Sequence, residues 1–283
     1  MKNEEEYHEE PAVENLVEQK DIIVDEVKRI TRSLNIKSEF VEKIVESLIN
    51  NLPEMVKIAN LGVDTKQISE FILLAKNDIY LANDAYRNND FNNTLFHLQQ
   101  SIEKVVKAYG MRLGTIENPR AEVGHNTPLV YLKLLEKTSE LNNIPKSFGI
   151  KTDIKKAAYD FKALIANDKA KIEFDKSAPV FLNAFKDVLK QFDRKTSKIE
   201  IRKILREVKN IYGIDILRLC KSQIYFSFFL CPFAIITSPY AIDPRYSREQ
   251  KYKELNLIKH FLEIQRNLED LIAYIEEEDI DSL

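Results

Sequence analysis

From Phe71 onward, apolar residues return every three or four positions: Ile72, Ala75, Ile79, Ala82 and Ala85. That period gathers them on one face of an α-helix, and the alanines leave room for a close neighbour. Leu95, Leu98, Ile102, Val105, Val106 and Tyr109 repeat the pattern and predict a second helix. Asn88-Asn89-Asp90 lies between them as a tight polar turn, so the two helices are expected to run antiparallel. Asp90 is placed to cap the second helix. Gly110 and Gly114 fall near its end, where a left-handed residue stops a helix. Thr127-Pro128 reads as an N-cap followed by Pro at the first helical position, and it opens a third helix through Leu135.

Amphipathic spacing recurs elsewhere. Residues 12–33 (Val13, Leu16, Val17, Ile22, Val24, Val27, Ile30) and 38–51 (Phe40, Val41, Ile44, Val45, Leu48) read as helices. Asp64 with Gln67 resembles a capping box. The chain is therefore divided into an N-terminal helical extension, 1–63, and a helical bundle, 64–283, with a basic middle section at about 146–210. One Lys-rich helix is expected over Lys151–Glu173, two more over Pro179–Arg206, and a last one over Arg248–Glu278. Ile224–Ile242 carries no charge over nineteen residues, a length that just spans a bilayer. Pro232, Pro239 and the hydroxyl residues argue instead for a buried central helix, broken near Pro232 and again at Ser238-Pro239-Tyr240. Its aromatics (Tyr225, Phe226, Phe228, Phe229, Phe233) suit a core or a dimer interface.

Composition narrows the class. Six glycines and no tryptophan in 283 residues, with 31% charged positions, favour an all-α chain. A net charge of −3 gives no global attraction to nucleic acid, so RNA contact would need a local basic surface. Cys220 and Cys231 lie in an apolar region as expected buried thiols. The acidic start MKNEEEYHEE has no apolar signal core, and a cytoplasmic chain is expected. There is no Gly-rich phosphate loop, no His-Glu-x-x-His and no nucleophile elbow. Nothing points to a metal or another cofactor.

The chemistry-bearing run is Arg120-Ala-Glu-Val-Gly-His125, just ahead of the third helix. An imidazole takes and gives a proton near neutral pH. A guanidinium offers a rigid fork of donors to a phosphate. The backbone N–H groups of a helix start would add to the attraction for an anion. On the second helix Gln99, Glu103 and Lys107 share a face, with Gln100 and Lys104 beside it. That face is either the wall of a groove or an exposed Glu103–Lys107 pair worth a few tenths of a kcal/mol. His97 lies near the apolar stripe and reads as a hydrogen-bonded core or interface histidine.

These residues carry a family resemblance. The small-residue helix, the turn, the helix FHLQQSIEKVVKAY (Phe96–Tyr109) and the GHN…L…LL run from Gly124 to Leu135 resemble the HEPN family of helical domains. ITSPYAIDPRYS, Ile236–Ser247, resembles the closing segment of larger HEPN proteins of the abortive-infection, phage-defence group. The resemblance implies an up-and-down bundle of four or five helices that usually forms a homodimer. Many such proteins are metal-independent endoribonucleases with an Arg-x4–6-His motif, two copies of which face each other across the dimer groove. Others lack the motif and bind nucleotide, RNA or a nucleotidyltransferase.

Arg120 to His125 takes the Arg-x4-His form at the place where the family puts it. The resemblance makes His125 the acid/base and Arg120 the phosphate binder; Asn126 beside them and Gln100, Glu103 and Lys104 on the groove-wall face are the expected substrate contacts. The implied substrate is RNA, and the implied partners are a second copy and a nucleotidyltransferase or antitoxin. Active members often have a polar residue directly after the Arg; here it is Ala121. A non-catalytic interaction module is the alternative.

Overall fold

The computed structural model describes residues 65–140, 154–197, 199–212, 215–241 and 252–280. The helices expected over 12–33 and 38–51, the start of the Asp64–Gln67 capping box, and Ile242–Ser247 lie outside them. Among the described residues there is no strand, and the fold is all-α.

Helices α1 (Thr65–Arg87) and α2 (Phe91–Arg112) form the expected pair. Asn89 turns the chain in the left-handed region at φ 57°, a conformation asparagine tolerates. The Asp90 carboxylate then accepts the N–H of Asn93 at 3.2 Å and caps α2. Ile72, Ala75, Ile79 and Ala82 are all buried against Leu95, Leu98, Ile102 and Val105. The small side chain of Ala75 lets α2 approach until the Ser101 hydroxyl donates to the Ala75 carbonyl at 2.8 Å.

Gly110 does not stop α2. The helix runs on to Arg112, and the left-handed residue is Gly114 at φ 59°. Gly110 serves packing instead: a Cβ there would come 2.6 Å from Val130 Cγ1 on the third-helix segment. Gly110→Ala should therefore lower stability by about 1–3 kcal/mol. Adding Val130→Ala to that variant should restore part of the loss in a denaturant titration. A Gly110→Ala protein as stable as the parent would contradict the close approach.

A single helical turn, α3 (Pro119–Glu122), follows, and then α4 (Leu129–Glu140). The Lys-rich segment is not one helix. It forms α5 (Ile154–Ile165) and α6 (Asp168–Phe174), because the Asn167 side chain accepts the N–H of Ala170 and starts a new helix. Next come α7 (Ala178–Thr196), α8 (Ile199–Tyr212) and α9 (Ile216–Ile224).

The break expected at Pro232 is absent. A widened π turn, Tyr225–Leu230, sends the N–H of Cys231 five residues back to the Phe226 carbonyl. Pro232 then falls in the first turn of α10 (Cys231–Thr237), the position where a helix best tolerates a missing N–H. This run is the core, except that Phe228, expected with the other aromatics, is 50% exposed. Phe226 stacks on Tyr109 at 4.2 Å and on Tyr131 at 4.6 Å, and the Tyr131 hydroxyl donates to the Phe226 carbonyl at 3.0 Å. Burial pushes the Cys231 thiol up to about 12, which keeps it protonated and inert.

Residues 248–251 of the last expected helix lie outside the described residues; 252–255 form a turn, and helix follows as α11 (Asn256–Lys259) and α12 (Phe261–Ile280). Buried Asp175 anchors α11 by accepting the N–H groups of Asn256 and Leu257 at 2.8 and 3.0 Å. Among the described residues no helix is long and apolar enough to cross a membrane.

Candidate functional site

The turn that carries Arg120 is tied down at both ends. Asn118 caps α3 by accepting the Ala121 N–H at 3.1 Å. The Glu122 carboxylate accepts the N–H groups of Glu117 and Asn118 at 2.8 and 2.7 Å and pairs with Lys133 of α4. The Lys133 bond, then the Asn118 N–H, hold the Glu122 carboxyl below its ordinary range. Gly124 at φ 56° then reverses the chain and presents His125. Arg120 is exposed and its side chain has no hydrogen-bond or ion-pair partner among the described residues.

The helix start offers no open cradle for an anion. The N–H groups of Leu129, Val130, Tyr131 and Leu132 are already spent on the carbonyls of Asn126, Thr127 and Pro128. Nor does Thr127 cap the helix with its side chain: its hydroxyl donates back to the His125 carbonyl at 3.5 Å. The Asn126 side-chain oxygen is buried without a hydrogen-bond partner among the described residues.

Below this turn lies Glu103, only 5% exposed. The charge pair with Lys107 is thus not the solvated pair that its i, i+4 spacing allows. Lys107 Nζ donates to Glu103 Oε1 at 2.6 Å, and Gln99 Nε2 donates to Oε2 at 2.9 Å. Oε2 also receives His125 Nδ1 at 3.2 Å. Burial pushes the Glu103 carboxyl up, but the bond and charge of Lys107, with Gln99 and His125, outweigh it and hold it below its ordinary value. An ionised carboxylate only accepts, so it selects the imidazole tautomer with hydrogen on Nδ1. The His125 side chain itself is 64% exposed. It is clamped from below by a buried anion and open above.

Residues 68–142 match the family model of the HEPN domain. The match spans α1 to α4, a little over a quarter of the chain, and bears out the HEPN resemblance of that segment. HEPN domains are all-α and include nuclease and nucleotide-binding modules. No curated protein and no solved structure matches the chain.

A second polar cluster sits on the α1–α2 face of the HEPN segment. Asp78 takes His97 Nδ1 at 2.9 Å and Lys104 Nζ at 2.5 Å. Burial pushes its carboxyl up, but the bonds to His97 and Lys104 bring it below its ordinary value. Lys104 also donates to Gln100 at 3.3 Å, and Gln100 donates to Gln99 at 2.6 Å. One chain of polar contacts therefore runs from Asp78 through Lys104, Gln100 and Gln99 to Glu103 and His125. His125 and Glu103 are brought together, whereas Asn126, expected as a substrate contact, has its side-chain oxygen buried. Lys104 and Gln100 reach His125 only through this chain, and Arg120 stands on the rim.

Asp78 is not legible from sequence as part of the site, because it reads as one more polar position beside the apolar stripe of α1. Leu74 and Leu81, one turn before and after it, are 48% and 44% exposed, and Leu73 and Tyr80 are more so. The HEPN segment thus carries an uncovered apolar strip beside the polar chain. Among the described residues no group of three His, Cys, Asp or Glu side chains is arranged to hold a metal ion.

Proposed function

We propose that this HEPN-domain protein is a metal-independent endoribonuclease of the defence or toxin type. His125 moves the proton and Arg120 holds the scissile phosphate. The observation that carries the reading is the contact between exposed His125 Nδ1 and the buried Glu103 carboxylate. It leaves Nε2 as the nitrogen with a free lone pair, in the manner of a base oriented by a carboxylate.

In this mechanism Nε2 takes the proton of a ribose 2′-hydroxyl. The 2′-oxygen attacks the adjacent phosphorus, and the bond from phosphorus to the 5′-oxygen breaks. That oxygen leaves with a proton from the same histidine of a second copy. The Arg120 fork offsets charge on the non-bridging oxygens as it builds. The exposed strip of Leu73, Leu74, Tyr80 and Leu81 supports a homodimer, since it is apolar surface for a second copy to cover.

A non-catalytic module that docks a nucleotidyltransferase or an antitoxin is the second reading. The satisfied N–H groups of Leu129 to Leu132 favour it, because no backbone cradle is left for a phosphate.

Product chemistry separates the two. A labelled RNA should yield a 2′,3′-cyclic phosphate and a 5′-hydroxyl, and a single 2′-deoxyribose at the cut position should block cutting there. Products ending in a 3′-hydroxyl would contradict the 2′-hydroxyl mechanism, and an intact substrate would favour the docking module.

A further inference from the structure

A cleft of about 710 Å³ opens outside the HEPN segment, between the end of α7, one face of α8, the start of α9 and Tyr274 of α12. Its volume is in the range of ligand sites. Four cationic side chains line it, Arg202, Lys209, Arg218 and Lys221, against two carboxylates, Asp193 and Asp215. The carboxylates position two of the cations: Lys209 Nζ lies 2.9 Å from Asp215, and Lys221 Nζ lies 2.9 Å from Asp193. Arg218 Nη2 donates to the Tyr274 carbonyl at 3.2 Å. Leu217 and Tyr274 give the lining its apolar surface.

The charge does not end at the mouth of the cleft. Arg202, Arg206 and Lys209 share one face of α8 at i, i+4 and i+7, and all three are exposed. Lys190 and Arg194 are exposed on α7. Residues 186–221 hold eleven Lys or Arg and five Asp or Glu, a net charge of +6 within a chain whose total is −3. Such local excess marks the footprint of an extended polyanion, since a small ligand inside the cleft would leave the outer cations unused.

We infer that the α7–α8–α9 cleft binds the phosphate backbone of single-stranded RNA, with Leu217 and Tyr274 as the surface for a base, and so holds the substrate away from the cutting site. The inference rests on the reading of RNA as substrate. It adds a second point of attachment, which would let the enzyme grip long RNA more tightly than short RNA. The cations supply the salt-dependent attraction to phosphate, and the aromatic and aliphatic pair supplies a sequence-tolerant surface for a base.

The test uses the full chain carrying His125→Ala, so that RNA stays whole, and follows binding of a labelled single-stranded RNA by fluorescence anisotropy across a salt series. Arg202→Glu with Arg206→Glu should weaken binding at least tenfold and flatten the salt slope by about 0.7 for each phosphate that is no longer neutralised. Lys66→Glu with Lys253→Glu makes the same change in net charge elsewhere on the surface and should change binding less than twofold. Equal losses in the two double variants would overturn the inference, as would no binding at low salt. Displacement of RNA by a nucleoside triphosphate that binds the cleft more tightly than RNA would overturn it too, in favour of a small-ligand pocket.

Cleavage separates the two ideas. In the otherwise wild-type enzyme, the cleft variants should raise KM for long RNA and leave kcat unchanged. Cutting that ignores the cleft sinks only this inference, whereas cleft binding without any cutting sinks only the nuclease reading.

Discussion

Glu103→Ala is expected to destabilise the protein by about 3–5 kcal/mol, because it removes one partner of a buried ion pair and leaves the other charge behind. Lys107 is 7% exposed and donates to Glu103 at 2.6 Å. With the carboxylate gone, its ammonium has no anion in reach among the described residues, and Gln99 loses an acceptor as well. Chemical denaturation should show the loss as a lower midpoint. Glu103→Gln should fall between the two, since an amide oxygen still accepts a hydrogen bond but no longer balances the charge.

The sign of the acid dependence follows from the same site. The folded-state carboxyl of Glu103 lies below the ordinary glutamate value of 4.5. Its contribution to stability is therefore complete above about pH 4.5 and is lost as the pH falls through the lower folded value. Glu103→Ala should flatten that part of the stability profile. A variant as stable as the parent at neutral pH would contradict the buried pair.

His125→Ala is expected to leave the fold intact and to remove cleavage. The side chain is exposed, so little packing disappears with it. An acid–base group of this kind contributes about 10²–10⁴-fold in rate, and a symmetric dimer loses base and acid together. Arg120→Ala should also cut the rate sharply, because the fork that offsets phosphate charge is gone. Its melting temperature should not move, since Arg120 supports nothing else among the described residues. Arg120→Lys should recover only part of the rate, because a point charge does not reproduce the two-pronged donor. Full activity in His125→Ala would mean that the proton moves elsewhere.

The paired helices are legible in the sequence because apolar spacing alone defines them, and Asp90 marks the start of α2 in any fold. The HEPN resemblance is legible for the same reason: its sequence sits on those two helices and on the turn to α4. What stays hidden depends on what covers each residue. Glu103 and Lys107 have the spacing of an ordinary surface pair, and only the folded chain, which sets His125 of the α3–α4 turn on Glu103, shows them as a buried anchor. Gly110 has the look of a helix stop, yet the stop is Gly114; only the nearness of Val130 shows what the bare backbone at Gly110 is for.

Two other differences come from continuing a pattern too far or ending it too soon. Ile165 and Ile172 are seven apart and stay in phase across Asn167, so the capping asparagine passes for part of one helix. Pro232 has the look of a break, but the π turn before it supplies the lost register. His97 is the easier case: a histidine beside an apolar stripe needs a hydrogen-bond partner, and Asp78 provides it.

The most direct measurement incubates purified full-length protein with RNA in excess EDTA, beside His125→Ala of matched circular dichroism. Clean cutting by the parent and a loss of at least about a hundredfold in the variant is the predicted result. RNA left whole by the parent at every protein concentration, or degraded equally by both, would contradict the idea that an imidazole seated on a buried carboxylate drives the reaction.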